Sequence, residues 1–180
     1  MSKKKKTNDE SGFETVEHAL TRTEQYVEEN KKSLSIILAV ILGIVGVYIA
    51  YTRFILEPKE SEAQSQIFRA EQYFERDSFL LALEGDGDAY GFLDIIDEYG
   101  ITKTANLAHY YAGICYLRLG DFEEAIENLK NFDSNDKLVS LIAMGAIGDA
   151  YVELDDLDEA ISFYEEATSK HKNDFITALY

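Results

Sequence analysis

The stretch from Gly113 to Ile126, GICYLRLGDFEEAI, decides the fold, because it returns 35 residues later from Gly148 to Ile161 as GDAYVELDDLDEAI. Seven of the fourteen positions are identical between the two copies. In each copy, apolar residues at three- and four-residue spacing lead up to a turn that contains Gly or Asp, and acidic residues open the next segment. Each copy therefore predicts two helices joined by a tight turn.

The residues shared by the two copies are of the types that closely paired helices require. Gly113 and Gly148 lack a side chain where the partner helix approaches, and Ala125 and Ala160 do the same from the second helix. Asp155 replaces the turn glycine of the first copy, and Asp is among the few residues besides Gly that tolerate a left-handed conformation. The repeated hairpin predicts an all-α fold.

This pattern resembles the tetratricopeptide repeat (TPR), in which Gly, Tyr, Ala and a bulky residue recur in a unit of about 34 residues. The resemblance implies a helical-hairpin solenoid within 57–180, with repeats at about 61–99, 106–140 and 141–175 and the start of a further helix at 175–180. The first of these repeats is degenerate, with two sets of apolar residues on two helices: Ile67, Ala70, Tyr73 and Phe74, then Phe92, Ile95 and Ile96.

The last segment of the sequence poses a question of its own, because stacked repeats need a polar cap. Phe175–Tyr180 has the pattern of the opening turns of another first-type helix. Either the chain continues past Tyr180, or the apolar face of the Tyr151–Ala167 unit is covered by something else.

A second signal is the uncharged run at 33–52, SLSIILAVILGIVGVYIAYT. As a helix, these 20 residues are roughly 30 Å long, which matches the hydrocarbon thickness of a bilayer. A cleaved signal sequence fits poorly, since 32 residues precede the run. We therefore predict a single transmembrane helix at 33–56, with a bend or break at Glu57-Pro58 because proline restricts the residue before it.

Basic residues orient the predicted anchor. Seven Lys and Arg side chains precede it, and basic residues tend to remain on the cytoplasmic side. We predict a disordered basic tail at 1–12, a cytoplasmic amphipathic helix at 13–32 and a periplasmic domain at 57–180. The helix at 13–32 could lie on the lipid headgroups, contact a cytoplasmic partner or merely extend the anchor.

Small residues of the anchor recur on one side of the helix. They are spaced 4, 3 and 4 residues apart: Ala39, Gly43, Gly46 and Ala50. Within lipid, small residues let two helix backbones approach closely, which favours their association. This row predicts a face for a partner helix, and the alternative is a chance alignment of residues that are common in membrane spans.

Composition excludes several classes of function. The chain carries 17 Lys and Arg against 34 Asp and Glu, a formal net charge of −17, and residues 57–180 hold 27 of the acidic side chains but 9 of the basic ones. Such a domain repels phosphates, which argues against nucleic acids and anionic lipid surfaces as its partners. The single Cys excludes an internal disulfide, a thiolate zinc cluster and a CxxC redox pair.

Candidate catalytic and metal-binding residues do not form a pattern. The three histidines, His18, His109 and His171, lie in different segments, and Cys115 fits a small core residue. The aspartates from Asp86 to Asp97 match the residue pattern of a calcium-binding loop only in part. With no nucleophile motif or phosphate loop, we predict no metal, no cofactor and no enzymatic activity.

Binding is the remaining chemistry, and the TPR resemblance implies an inner surface lined by the first helix of each repeat. The family's offsets give two sets of residues: Leu107, Tyr110, Ile114 and Leu117, then Ile142, Gly145, Asp149 and Val152. They predict an apolar groove with an acidic edge, which suits an apolar or basic extended segment better than a terminal carboxylate. Any one of these residues could equally pack the superhelix.

The chain also resembles the YfgM-type ancillary subunits of the bacterial Sec translocon. The resemblance rests on the order of tail, anchor and repeats and on the run from Thr23 to Tyr51. The resemblance implies a non-enzymatic, single-pass inner-membrane protein that assists newly translocated proteins as a chaperone. Its implied partners are Sec translocon subunits, a PpiD-like membrane-anchored folding factor and exported unfolded polypeptides. The alternative is an envelope scaffold that organises other membrane complexes without contacting exported clients.

Overall fold

The computed structural model describes residues 30–170. Every regular element among these residues is a helix and none is a strand, which confirms the predicted all-α fold. The chain divides into two compact units, Met1–Thr52 and Arg53–Tyr180. The predicted tail at 1–12, nearly all of the predicted helix at 13–32 and the predicted helix start at 175–180 lie outside the described residues.

The described part of the first unit is helix α1, residues 30–51. Large apolar side chains are exposed all along it, as at Ile36, Ile44 and Val47, whose exposed fractions are 65%, 65% and 72%. A helix of this length and composition is compatible with a single-pass membrane anchor. A signal sequence near the N-terminus satisfies the same two criteria.

A π-helical segment, Thr52–Leu56, precedes helix α2, Glu57–Glu75. Every residue from 30 to 75 is helical, so the break that we predicted as one alternative at Glu57-Pro58 is wrong, and the bend stays a prediction. Pro58 lies in the first turn of α2, where it cannot donate to the carbonyl four residues earlier. The wider π-helical turns stand immediately before it, so the hydrogen-bond pattern changes there while the helix continues.

Six further helices complete the second unit. They are α3 (Phe79–Glu84), α4 (Phe92–Tyr99), α5 (Lys103–Leu119), α6 (Phe122–Asn131), α7 (Lys137–Glu153) and α8 (Leu157–Lys170). Helices α5 and α6 pack together as one hairpin, and α7 and α8 form another. Helix α6 also packs on α7, so the two hairpins are stacked side by side.

Both hairpins turn through a left-handed residue, as the sequence predicts. The φ angles are +91° at Gly120 and +60° at Asp155. Short joints of this kind bring the two helices of each hairpin directly into contact.

The predicted close approach of the helices is also confirmed. A Cβ placed on Gly113 would lie 2.5 Å from Leu129 Cγ, and one placed on Gly148 would lie 2.5 Å from Tyr164 Cε1. Carbon atoms in contact prefer about 3.5–4.0 Å, so both positions require glycine as the helices now stand.

Helix α5 is shared by two hydrophobic clusters. One face of α5 packs with α2, α3 and α4 through its small residues: Ala105, Ala108, Ala112 and Cys115. The ring of Phe92 stacks on Tyr111 in this cluster, with centroids 5.0 Å apart. Tyr110, Ile114 and Leu117 on α5 instead pack with the cluster that α6 and α7 form. Helix α5 is therefore held from both sides.

The stretch predicted as a degenerate repeat, 61–99, contains three helices where a hairpin has two. Its apolar residues nevertheless meet in one core with α5, as a paired unit requires. The additional part is α3 and the loop from Gly85 to Gly91, which turns so tightly that a Cβ on Gly91 would clash with the carbonyl of Leu83. Helix α3 has six residues, too few for its periodicity to show in the sequence.

Candidate protein-binding groove

A cavity of about 700 Å³ lies where the first helices of the two hairpins meet the turn of the first hairpin. Helices α5 and α7 provide most of its lining, and the start of α6 and the middle of α8 complete it. The lining residues are Ile114, Leu117, Arg118, Leu119, Gly120, Phe122, Ile142, Ala146, Asp149, Val152, Glu153 and Tyr164. We call this cavity the groove.

The apolar wall of the groove is exposed to solvent. Ile142 and Val152 on α7 keep 37% and 43% of their surface exposed. Ile114 and Leu117 on α5 are half-buried, because their inner sides pack against the cluster between the hairpins. The groove therefore offers apolar surface that another chain can bury.

The edge of the groove carries charge of both signs. Among the lining residues that the structure describes, Arg118 is the single cation, and Asp149 and Glu153 are the carboxylates. The Tyr164 hydroxyl donates a hydrogen bond of 2.6 Å to Asp149 Oδ1. The phenol ring can lie there because Gly148 opposes it without a side chain. A ligand with alternating apolar and polar groups matches such a surface.

The α5 wall of the groove is fixed at its N-terminus by helix α2. Glu60 on α2 accepts hydrogen bonds from the Lys103 backbone N–H at 2.7 Å and from Thr104 Oγ1 at 2.8 Å. Partial burial acts to raise the pKa of Glu60, but hydrogen bonds from Thr104, Gln64 and the backbone outweigh it and lower that pKa. A carboxylate at a helix N-terminus also interacts favourably with the helix dipole.

Five of the predicted groove residues come together in this cavity. They are Ile114, Leu117, Ile142, Asp149 and Val152. Three others do not line it, and one of them, Gly145, is buried on α7. Leu107 lies half-buried near the start of α5, and Tyr110 packs against Phe132 with ring centroids 5.3 Å apart. Burial raises the pKa of the Tyr110 phenol, as a packing role requires. The binding role of the predicted residues stays a prediction.

Sequence reasoning missed the part of the groove that the turn and α8 supply. Arg118 and Phe122 flank the turn of the first hairpin, and Tyr164 reaches in from α8. The family's offsets point to four positions on each first helix, and Arg118, Phe122 and Tyr164 lie outside those positions. The signal that could have found Tyr164 is its spacing from Gly148, since a bulky residue on the second helix must face the glycine of the first.

The small residues of the predicted anchor face are all exposed on α1: Ala39, Gly43, Gly46 and Ala50. A Cβ added to Gly43 or Gly46 would meet no atom within 4 Å among the described residues. A second helix could therefore approach the backbone closely at these two positions. The function of this row as a partner face stays a prediction.

The described residues offer little chemistry beyond binding. In the described part of the chain, no group of three or more His, Cys, Asp or Glu side chains is arranged so that it could hold a metal ion. Asp86, in the calcium-like stretch, is engaged by the Tyr73 hydroxyl at 2.5 Å and by two backbone N–H groups, and these bonds lower its pKa. Burial raises the pKa of the Cys115 thiol to about 12, so it is un-ionised at neutral pH.

Stacked helical hairpins define a helical-repeat architecture, and repeats of this kind often present an extended surface for binding. Residues 107–135 and 142–169 each match a family model of the tetratricopeptide repeat. No match was found among curated proteins or among solved structures. The chain thus carries TPR repeats after an N-terminal apolar helix, and such repeats mediate protein–protein interactions and are typically non-enzymatic scaffolds.

Proposed function

We propose that this chain is a non-enzymatic accessory subunit of the bacterial Sec export channel, held in the inner membrane by α1. In this proposal the N-terminus is cytoplasmic, and the unit at 57–180 assists newly translocated proteins in the periplasm together with a PpiD-like folding factor. The observation that carries it is the groove of about 700 Å³, whose apolar wall is exposed to solvent. The same chain also contains the uncharged run 33–52, most of which lies in α1.

The chemistry of the groove favours an extended, unfolded segment as its ligand. Ile142 and Val152 present apolar surface, whereas Asp149 and Glu153 attract a basic side chain beside it. Newly exported chains expose such mixtures of apolar and basic residues before they fold. The excess of acidic residues in 57–180 also repels anionic surfaces and so leaves the groove free of lipid headgroups.

The exposed row on α1 suits a partner inside the membrane. Gly43 and Gly46 allow a close helix–helix contact, and Ala39 and Ala50 extend the same face by a turn on either side. In the proposal this face packs on a membrane helix of the channel or of the folding factor, which keeps the groove near the exit of the channel.

Co-purification in mild detergent at native abundance tests the assignment to the channel. We expect Sec translocon subunits and a PpiD-like factor to be recovered with the chain. Recovery of envelope-assembly proteins without the channel would instead support the alternative, an envelope scaffold. A matched pair of variants sharpens this test: Gly43→Leu should reduce the recovery, whereas Ile44→Leu, on another side of α1, should not.

Binding to a permanently unfolded reporter chain tests the groove. The double variant Ile142→Ser with Val152→Ser in the full chain should weaken this binding roughly tenfold, which corresponds to about 1.4 kcal/mol. Leu138→Ser is the control, because Leu138 is 52% exposed on the same helix but does not line the groove. Equal binding by all three proteins would contradict a groove that holds clients.

A further inference from the structure

The turn between α4 and α5 holds an apolar side chain out of the fold. Ile101 is 51% exposed there, between Tyr99 and Thr102, which are 6% and 4% exposed. Thr102 donates to the Tyr99 carbonyl from its N–H at 2.8 Å and from its Oγ1 at 2.7 Å, and Oγ1 accepts from the Ala105 N–H. Because these bonds fix the backbone on both sides of Ile101, its exposure is a built feature of the turn.

Hydrogen bonds join this turn to the start of α2. Glu60 accepts from the Lys103 N–H at 2.7 Å, and Lys59 Nζ donates to the Glu98 carbonyl at 3.2 Å. A cavity of about 440 Å³ lies between the two segments. Three residues that line this cavity form what we call the turn patch: Leu56, Ile101 and Lys103.

The position of the turn patch along the chain brings it close to a membrane. This step rests on the proposed function, in which α1 spans the bilayer. Arg53 is the first charged residue after the uncharged run 33–52, so the edge of the hydrocarbon lies near it. Leu56 follows within roughly 5 Å along a helix. A headgroup layer is about 5–8 Å thick, since a bilayer of about 40–45 Å has a hydrocarbon core of about 30 Å. The patch is therefore within reach of the headgroups.

The turn patch has the chemistry of an interfacial contact. Its two aliphatic side chains supply apolar surface, and Lys103 is exposed beside them. A lysine can lay its apolar stem on such a surface and place its ammonium among lipid phosphates. The neighbouring carboxylates are engaged within the protein, because Glu57 pairs with Arg53 and Glu60 accepts from α5. The acidic excess of 57–180 opposes anionic lipids, so zwitterionic headgroups fit best.

We propose that the turn patch rests in the headgroup layer of the membrane that holds α1, with Ile101 toward the acyl chains and Lys103 among the phosphates. The occupant of the patch is thus zwitterionic phospholipid rather than a protein. Because the anchor keeps the patch near the surface, a contact that is weak in isolation becomes populated. This second attachment restricts rotation of the unit about its anchor, which gives the groove one orientation to the membrane.

Tryptophan fluorescence tests the contact, since the chain contains no Trp of its own. Ile101→Trp and Phe68→Trp are compared in the full chain, in phosphatidylcholine vesicles with and without bromine atoms near the top of the acyl chains. Bromine quenches nearby Trp, so Ile101→Trp should lose roughly half of its emission and Phe68→Trp little of it. Phe68 is the matched control, because it is 57% exposed on α2 but lies roughly 18 Å along the helix from Leu56.

A second reporter keeps Ile101 in place, because Trp itself favours the interface. Glu98 is exposed in the last turn of α4, and its backbone carbonyl is bound by Lys59. Glu98→Trp should be quenched by the brominated lipid, and adding Ile101→Ser should relieve roughly half of that quenching. Adding Phe68→Ser instead is the control, since it removes an equally exposed apolar side chain outside the patch and should change nothing.

Three outcomes would overturn the proposal. Equal quenching at positions 101 and 68 would mean that the turn makes no contact of its own. Emission shifted to shorter wavelength without quenching would assign the patch to a second copy of the chain, the only protein present. Quenching of Glu98→Trp that Ile101→Ser leaves unchanged would mean that Ile101 does not hold the turn in the lipid.

Flotation of the vesicles separates this proposal from the one on which it rests. A chain that does not float with the vesicles would contradict the membrane anchor and so overturn both proposals. A chain that floats while Ile101→Trp stays unquenched would contradict the turn patch alone. The groove assay with an unfolded reporter chain uses different side chains and is unaffected by either result.

Discussion

The two hairpins of the second unit have closely related sequences but different surroundings. Helix α6 lies between α5 and α7, whereas the described residues place a neighbour on only one side of α8. Ile126 and Ile161 are the same residue at the same repeat position, yet they are 8% and 56% exposed. The comparison shows that a repeat sequence specifies its hairpin, while the neighbouring helix decides what the hairpin buries.

The N-termini of the two hairpins differ in the same way. Helix α5 is capped by Thr102 and, from a different helix, by Glu60. Helix α7 is capped by Asp136, the residue immediately before it, which accepts from the Leu138 and Val139 N–H groups at 2.8 and 3.2 Å. The first hairpin is therefore attached to the rest of the unit through its cap, and the second is capped locally.

The largest expected effect is at the two isoleucines. Ile126→Ala should lower the free energy of unfolding by about 2–4 kcal/mol, because it leaves a cavity between α6 and α7. Ile161→Ala should lower it by less than about 1 kcal/mol, because Ile161 is 56% exposed and its truncation leaves no enclosed cavity among the described residues. Urea unfolding followed by tyrosine fluorescence measures both variants. Equal losses at the two positions would contradict the comparison.

The two hairpin glycines come next. Gly113→Ala forces a methyl group against Leu129 and the Ala125 carbonyl, and overpacking of this kind costs about 1–3 kcal/mol, partly offset by the better helix propensity of Ala. The methyl group of Gly148→Ala meets the Tyr164 ring, which is half-buried and has no backbone atom among these nearest contacts, so we expect a smaller loss than at Gly113. The same urea titration decides this, and a larger loss for Gly148→Ala would reverse our ranking.

The caps give a smaller, pH-dependent effect. Glu60→Ala and Asp136→Ala should each cost about 1 kcal/mol at pH 7. Since the folded-state pKa of Glu60 is lowered, its contribution is complete above the ordinary Glu pKa of about 4.3 and is lost as the pH falls through the lower folded-state pKa. The gap between the native chain and Glu60→Ala should therefore close in acid.

Hydrogen exchange distinguishes the two cap variants from each other. Glu60→Ala should speed amide exchange in both α2 and the start of α5, because the carboxylate joins them. Asp136→Ala should affect only the first turn of α7. If Glu60→Ala left α2 unchanged, the cap from α2 would contribute nothing to the attachment of the first hairpin.

The smallest effect belongs to the hydroxyl of Tyr164. Tyr164→Phe removes its hydrogen bond to Asp149 but keeps the ring that opposes Gly148. Because Asp149 is exposed and water can replace the phenol, stability should change by about 0.5 kcal/mol or less. A loss above 1 kcal/mol in the same titration would mean that the hydrogen bond itself holds α8 on α7.

Much of the fold was predictable because its causes are local. The spacing of Gly113 and Gly148, the acidic first turns and the turn residues all act within one hairpin, and the structure has them as predicted. The short helix α3 was not predictable, since six residues hold no periodic signal. The sequence did not predict that the helix continues through Pro58. A π-helical segment accommodates the proline there, and no sequence pattern reveals that option.

The groove shows the same division between local and distant causes. The sequence alone determined which helix faces are apolar and that α5 and α7 are first-type helices, because helical period and glycine position follow from residue type. Only the tertiary structure decided that Ile142 and Val152 stay open while Tyr110 is packed, and that Tyr164 and Arg118 join the lining. Exposure depends on which neighbouring helix lies across a residue, and that is a property of the assembled stack.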